Sequence, residues 1–143
     1  MSTNHLHLQE QLCFPIYASS RMVTRLYQPH LEPLNLTYPQ YIAMLSLWEK
    51  DKVKVSSLGQ QLYLNTNTLT PLLKKLEAKG LVERIRSNSD ERTVLISLTE
   101  SGKTLKAAAE HIPMKLVESI GMSLSELKQM RELMWKLLHS FEY

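Results

Sequence analysis

Between Thr68 and Leu98 the hydrophobic period of the chain changes, and that change constrains the fold more than any other feature. TLTPLLKKLEAKG sets Leu69, Leu72, Leu73 and Leu76 at three- and four-residue spacing, the apolar stripe of one helix. Gly80 follows, suited to the left-handed position just past a helix end. LVERIR and TVLISL then alternate with a period of two, and the SNSDER between them is polar and turn-forming. Those three pieces predict a β-hairpin with a long tip. Upstream, VSSLGQQLY reads as a short helix with Ser57 and Gln60 placed to cap it reciprocally, and LNTNT as a polar break. Short helix, break, second helix, glycine and hairpin make a helix-turn-helix with a wing.

The flanks are helical. Residues 9 to about 28 predict a helix that Pro29 helps end, with Leu12, Ile16, Met22 and Leu26 on one side. Residues 38–50 carry Tyr41, Met44, Leu45 and Trp48 at helical spacing and predict a core helix. Thr99 caps a helix whose stripe is Leu105, Ala109, Ile112 and Leu116 and which Pro113 should bend. Ser123 and Glu126 predict a capping box for the last helix, with Leu127, Met130, Met134, Leu137, Leu138 and Phe141 on one face. These stripes exceed what one small core needs, and the surplus reads as a dimer interface. The expected fold class is mainly α with a small β-hairpin wing (α+β). It is a single domain over 1–143, with dimerisation helices at 1–50 and 99–143 around a winged helix-turn-helix at 51–98.

Charge separates the same regions. Residues 51–106 hold 10 Lys and Arg against 6 Asp and Glu, whereas 1–50 are neutral and 107–143 carry a net −1. A basic centre between near-neutral helices points to a polyanion partner. A helix that enters the major groove of DNA buries one face and offers short polar groups on the other. Here the leucines take the buried face, and Asn65, Thr66, Asn67, Thr68 and Thr70 crowd the first turn, with Lys74 and Lys75 farther along. Arg84 and Arg86 lie on the first hairpin strand, and Arg92 sits at the tip behind Asp90 and Glu91. An arginine on a protruding hairpin suits the narrow, electronegative minor groove, and the neighbouring aspartate can fix its side chain. Pro71 removes a backbone donor early in the second helix, and nothing in the sequence explains it.

No apolar run is long enough to span a membrane and the N-terminus lacks a secretory pattern, so a cytoplasmic location without membrane contact is expected. His5, His7, His30, His111 and His139 show no metal-binding spacing, and no phosphate loop or catalytic nucleophile motif is visible. No cofactor and no enzyme activity are expected. One cysteine excludes an internal disulfide and fits a reducing compartment.

That cysteine, Cys13, permits two readings: a small core hydrophobe, or a thiol placed to react. Pro15 bears on the choice, because proline is comfortable only in the first turn of a helix. Either the regular helix starts around Phe14 with Cys13 at its mouth, or it starts near Gln9 and Pro15 kinks it.

The run TPLLKKLEAKGLVERIRSNSDERTVLISLTESG strongly resembles the winged-helix core of the MarR family of bacterial transcriptional regulators, most specifically in the DER tip and LTESG. LCFPIYASSRMVTRLYQPHLEPLNLTYPQYIAMLSLWE, LYLNTNTLTPLLKKLE and the bend at HIP resemble its organic hydroperoxide-sensing branch. Cys13, Tyr17, Tyr27 and Tyr38 match that branch's sensing set in type and spacing. The resemblance implies a homodimeric repressor of a pseudo-palindromic double-stranded DNA operator. It implies that Cys13 of one subunit lies near Tyr27 and Tyr38 of the other, that the helix from Thr66 reads the major groove, and that Arg92 enters the minor groove. It also implies an organic hydroperoxide as signal and a small cellular thiol as partner of the oxidised cysteine. Two positions depart from the branch. Pro15 replaces an aliphatic residue, and Asn65-Thr66-Asn67 replaces Asp-Ser-Gly, which removes a negative charge beside the phosphates. Two alternatives stay open: the same fold gated by an aromatic or lipophilic ligand with an inert cysteine, and a one-cysteine thiol peroxidase.

Overall fold

The computed structural model describes residues 5–90 and 92–142; Glu91, part of the DER tip, lies outside them. The chain divides into two compact units, Met1–Glu110 and His111–Tyr143.

The first unit opens with a short 3-10 turn at Leu8–Glu10, after which α1 runs Cys13–Leu31. The start near Gln9 is thus corrected. Pro15 falls in the first helical turn, where a missing N–H costs nothing. The predicted stop is corrected too, since Pro29 lies inside α1. The chain turns through Glu32–Leu34 and the left-handed Asn35 into α2, Tyr38–Glu49. Thr37 and Gln40 close a capping box around Tyr38.

A two-residue strand, β1 (Val53–Lys54), leads into α3, Val55–Leu62. The hairpin alone was expected, and β1 extends it to a three-stranded sheet. The capping of α3 also differs: Lys54 is the N-cap and makes no side-chain bond, so Ser57 lies inside the helix instead of before it. Tyr63, left-handed at φ 55°, makes the turn. Then α4 runs Thr66–Ala78 with Lys79 as its C-cap, followed by Gly80, whose φ of 72° only glycine adopts without strain. Strands β2 (Val82–Arg86) and β3 (Val94–Leu98) pair antiparallel, Arg84 opposite Ile96, and β1 pairs with the other edge of β3 in the order β1-β3-β2. Thr99 caps α5 (Glu100–Ala109) by accepting from the Gly102 N–H.

The core of this unit is the leucine stripe of α4 and one side of α2. Leu69, Leu73, Leu76, Tyr41, Ala43, Met44, Leu47 and Ile96 are almost wholly buried. The buried face of α2 includes Leu47 in place of the expected Leu45, which is exposed. Helix α2 packs against α1 on one side and against α3, α4, α5 and β3 on the other, so it joins the first helix to the winged-helix core. Gly102 shows how close the packing is: a Cβ there would stand 2.1 Å from the Leu81 carbonyl oxygen, and the Trp48 indole N–H donates to the Gly102 carbonyl at 2.8 Å.

In the second unit Pro113 does more than bend a helix. It starts a new one, α6 (Ile112–Ser119), separate from α5. The last helix, α7 (Leu124–His139), carries the expected capping box: the Ser123 N–H and hydroxyl both donate to Glu126 at 2.8 Å, holding that carboxyl below its ordinary range. No residue of α7 is buried, and Met130, Met134 and Phe141 of its stripe are exposed. Among the described residues no helix is long and apolar enough to cross a membrane.

Candidate sensor thiol and nucleic-acid interface

Cys13 is the first residue of α1 and is exposed. Leu12 before it offers no side-chain cap, so the first N–H groups of the helix receive no capping bond from it. Tyr17 follows one turn later on the same face, exposed, with the Arg21 guanidinium 5.5 Å above its ring. Leu12, Phe14, Met22, Val23 and Leu26 are also exposed, and of the whole helix only Leu31 is buried.

The other two matched tyrosines meet at the far end of α1. The rings of Tyr27 and Tyr38 have centroids 4.8 Å apart. Tyr41 completes the group, 5.6 Å from Tyr27 and 6.4 Å from Tyr38. Its participation escaped the sequence reading, which placed it only in the core. Its position three residues after Tyr38 on one helix was the available signal. Desolvation, with the neighbouring Tyr38 and Tyr41, pushes the Tyr27 hydroxyl up to about 12, and burial raises Tyr38 and Tyr41 as well. All three therefore remain O–H groups, able to donate, at any physiological pH. Cys13 and Tyr27 are fourteen residues apart on one continuous helix, about 21 Å at 1.5 Å per residue. Within one chain the thiol and the tyrosine cluster do not meet.

The predicted nucleic-acid residues converge elsewhere on the first unit. Asn65 caps α4 through its side chain, which accepts from the Thr68 N–H at 3.0 Å. Thr66, Asn67, Thr68, Lys74 and Lys75 are exposed, and Thr70 is half-buried. Pro71 is exposed, and its missing N–H frees the Asn67 carbonyl from the helix ladder. The first turn of α4 and the wing enclose a groove of about 420 Å³ lined by Thr66, Thr70, Arg84, Arg92, Lys54 and Ser56 among others. Lys54 and Ser56 were missed. A two-residue strand is too short to show a period, so β1 was invisible and with it the placement of these side chains.

The arginines divide by task. Arg92 and Arg86 are exposed. Arg84 is turned inward: its Nη2 donates to the Thr70 carbonyl at 3.4 Å, and its Nε lies 3.7 Å from Glu77, beyond hydrogen-bonding reach. It ties β2 to α4. Asp90 organises the tip by accepting from the Arg92 N–H at 3.0 Å and the Thr93 hydroxyl at 3.1 Å. The aspartate thus fixes the backbone of Arg92, where its side chain was expected to be held.

The family model of the SarA/Rot transcriptional regulators matches residues 25–109. The organic hydroperoxide resistance transcriptional regulator of Bacillus subtilis (strain 168) is 49% identical over 137 residues, 96% of this chain and 93% of that protein. This chain belongs to the MarR/SarA-type winged-helix transcriptional regulators. Solved members superpose along its length. Reduced AbfR bound to DNA, a protein of Staphylococcus epidermidis, matches with a TM-score of 0.84 at 32% identity, covering 99% of this chain and 97% of the other. A mutant MarR of E. coli complexed with operator DNA matches with a TM-score of 0.81 at 25% identity, covering 89% and 93%.

Proposed function

We propose that this MarR-type regulator is a homodimeric, cytoplasmic repressor that binds a pseudo-palindromic operator and releases it when an organic hydroperoxide oxidises Cys13. The observation that carries the reading is the separation inside one chain. An exposed thiol with Tyr17 stands at one end of α1, and two hydroxyl donors, Tyr27 and Tyr38, stand about 21 Å away at the other. Two antiparallel copies of α1 bring each thiol to the other copy's tyrosines. The same pairing covers the exposed apolar face of α1.

The chemistry follows from the groups present. The Cys13 thiolate attacks the terminal oxygen of the hydroperoxide, the O–O bond breaks, and the leaving alkoxide takes a proton to become an alcohol. The sulfenic acid then condenses with a small thiol, forming a mixed disulfide and releasing water. Tyrosine hydroxyls donate to the attacking thiolate, and apolar Phe14 and Leu12 favour an organic peroxide over hydrogen peroxide. The adduct displaces the tyrosines and, with them, the helices that set the two wings on DNA. The first turn of α4 reads the major groove, Arg92 enters the minor groove, and Lys54, Ser56, Arg86, Lys74 and Lys75 meet the backbone. The protein is a stoichiometric switch and not an enzyme.

Intact mass after about one equivalent of cumene hydroperoxide, beside hydrogen peroxide, tests this reading together with operator binding. The expected result is one oxygen gained on Cys13, faster with the organic peroxide, and loss of operator that Cys13→Ser abolishes. A Cys13→Ser protein that still releases DNA on peroxide would sink it.

A second reading is favoured by one feature, a groove of about 390 Å³ between α1 and the start of α2, lined by Arg25, Gln28, Leu31, Leu36, Tyr38 and Pro39 among others. An aromatic or lipophilic ligand seated there would press on Tyr38 without using the thiol. Operator release by such a ligand from Cys13→Ser protein would select this reading.

A further inference from the structure

The side chain of Lys79, at the C-terminal cap of α4, reaches across to the segment that carries Tyr38. Its ammonium donates to the Asn35 carbonyl at 2.5 Å and to the Gln40 Oε1 at 2.8 Å. Gln40 is almost wholly buried, and the same Oε1 accepts from the Thr37 N–H at 3.1 Å. Thr37 returns the bond, its hydroxyl accepting from the Gln40 N–H at 3.4 Å. Tyr38 stands inside that closed ring. Long-range polar ties of the α1–α2 connection therefore run to the C-terminal end of α4.

We propose that Lys79 is a positioning residue that couples the tyrosine cluster to α4, carrying a displacement of the first turn of α2 into the C-terminal end of the DNA-reading helix. The proposal rests on the hydroperoxide-sensing reading above and adds the route by which the signal leaves the sensor.

Three physical points support it. The bonds from Lys79 are charge-assisted, and one ends on a buried amide, so they are stronger and more directional than a surface ion pair. The capping box makes Thr37 to Gln40 one rigid unit, so Tyr38 cannot shift without moving an acceptor of Lys79. Arg84 ties the wing strand β2 to α4 through the Thr70 carbonyl, so a shift of α4 carried by Lys79 passes on into the wing. A signal moves an equilibrium only by its differential contacts with the two states, and the bonds of Lys79 are contacts the two states would not share.

The test measures operator dissociation constants for reduced and cumene hydroperoxide-treated protein in the wild type, Lys79→Met and Lys79→Arg. Cys13 oxidation is checked by intact mass in every sample. Lys79→Met should bind operator in the reduced form within about threefold of wild type and oxidise fully, yet its oxidised-to-reduced ratio of dissociation constants should shrink at least about fivefold. Lys79→Arg, which can still donate to both oxygens, should restore the ratio. A purely structural role would weaken both forms together and leave the ratio alone. A Lys79→Met ratio within about twofold of wild type, with the thiol oxidised, overturns the proposal. If Lys79→Met does not fold, Lys79→Gln replaces it under the same criterion. Wild type that keeps its operator after Cys13 oxidation removes the sensing reading and this coupling with it, and that failure is visible without any variant.

Discussion

The ring of Tyr27, near the C-terminal end of α1, lies 4.8 Å from the ring of Tyr38, the first residue of α2, at an interplanar angle of 48°. Two phenols on different helices are held together with Tyr41 behind them, and the burial that results keeps their protons on.

That burial has a consequence for alkaline stability. Tyr27 holds its proton up to about pH 12 in the folded chain, against about 10 when unfolded, so between these values the folded state binds more protons. Its contribution is present in full below about pH 10 and is lost as pH rises toward 12. Urea denaturation at about pH 9 and about pH 11 should show falling stability, and Tyr27→Phe should flatten the fall. Phenolate absorbance should show the same late-titrating group in the wild type and lack it in the variant.

The sharing of one sensing site between two copies can be tested by complementation. A heterodimer is made from a Cys13→Ser chain and a Tyr27→Phe/Tyr38→Phe chain. Its single thiol should face the intact tyrosines of the other copy and oxidise at the wild-type rate. The Tyr27→Phe/Tyr38→Phe homodimer should react at least about tenfold more slowly, a modest loss for two hydroxyl donors. Stopped-flow tryptophan fluorescence or quenched mass analysis reads the rates. Equal slowness in heterodimer and homodimer would place each thiol with its own chain's tyrosines.

Arg92 and Arg84 should behave differently although both line the wing groove. Arg92→Ala should weaken operator binding and lower the slope of log affinity against log salt by about 1. Arg84→Ala should leave that slope alone and reduce stability by roughly 1 kcal/mol, because it removes the tie from β2 to Thr70 and Glu77. Fluorescence anisotropy across a salt series and thermal melts would separate the two roles.

Gly102→Ala should be among the most damaging single-methyl changes in the chain. The added carbon would stand 2.1 Å from a backbone oxygen, Leu81 O, which cannot rotate away as a side-chain tip can. A loss of about 3 kcal/mol is expected, with the N-terminus of α5 displaced from the sheet. Thermal denaturation reads it, and an unchanged Tm would mean that α5 relaxes at no cost.

Much of this was legible in the residues because it is local. The leucine stripe of α4, the period-two strands, Gly80 past a helix end, Thr99 as a cap and the Ser123–Glu126 box are set by neighbours within a turn or two. Each appears where the pattern placed it. The readings that needed correction were of two kinds. At Pro15, Pro29, Pro113 and Ser57 the local signal was present, but where the helix boundary falls depends on small differences between competing backbone bonds. At β1, Lys54 and Tyr41 the signal was absent, since a two-residue strand exists only through its pairing with β3 and a cluster forms only when two helices cross.

What the sequence determined by itself was therefore the list of elements, their apolar faces, the basic centre and a lone cysteine spaced from three tyrosines. Tertiary structure decided which of those groups meet. It joined Tyr27 to Tyr38, set Lys79 against Gln40, turned Arg84 inward, and left Cys13 at the opposite end of its own helix from the tyrosines. The physical reason is range. Capping and periodicity act over three or four residues and are written in sequence order. Contacts such as Lys79 to Gln40 close a loop of 39 residues and arise only from how the buried faces of α2 and α4 pack.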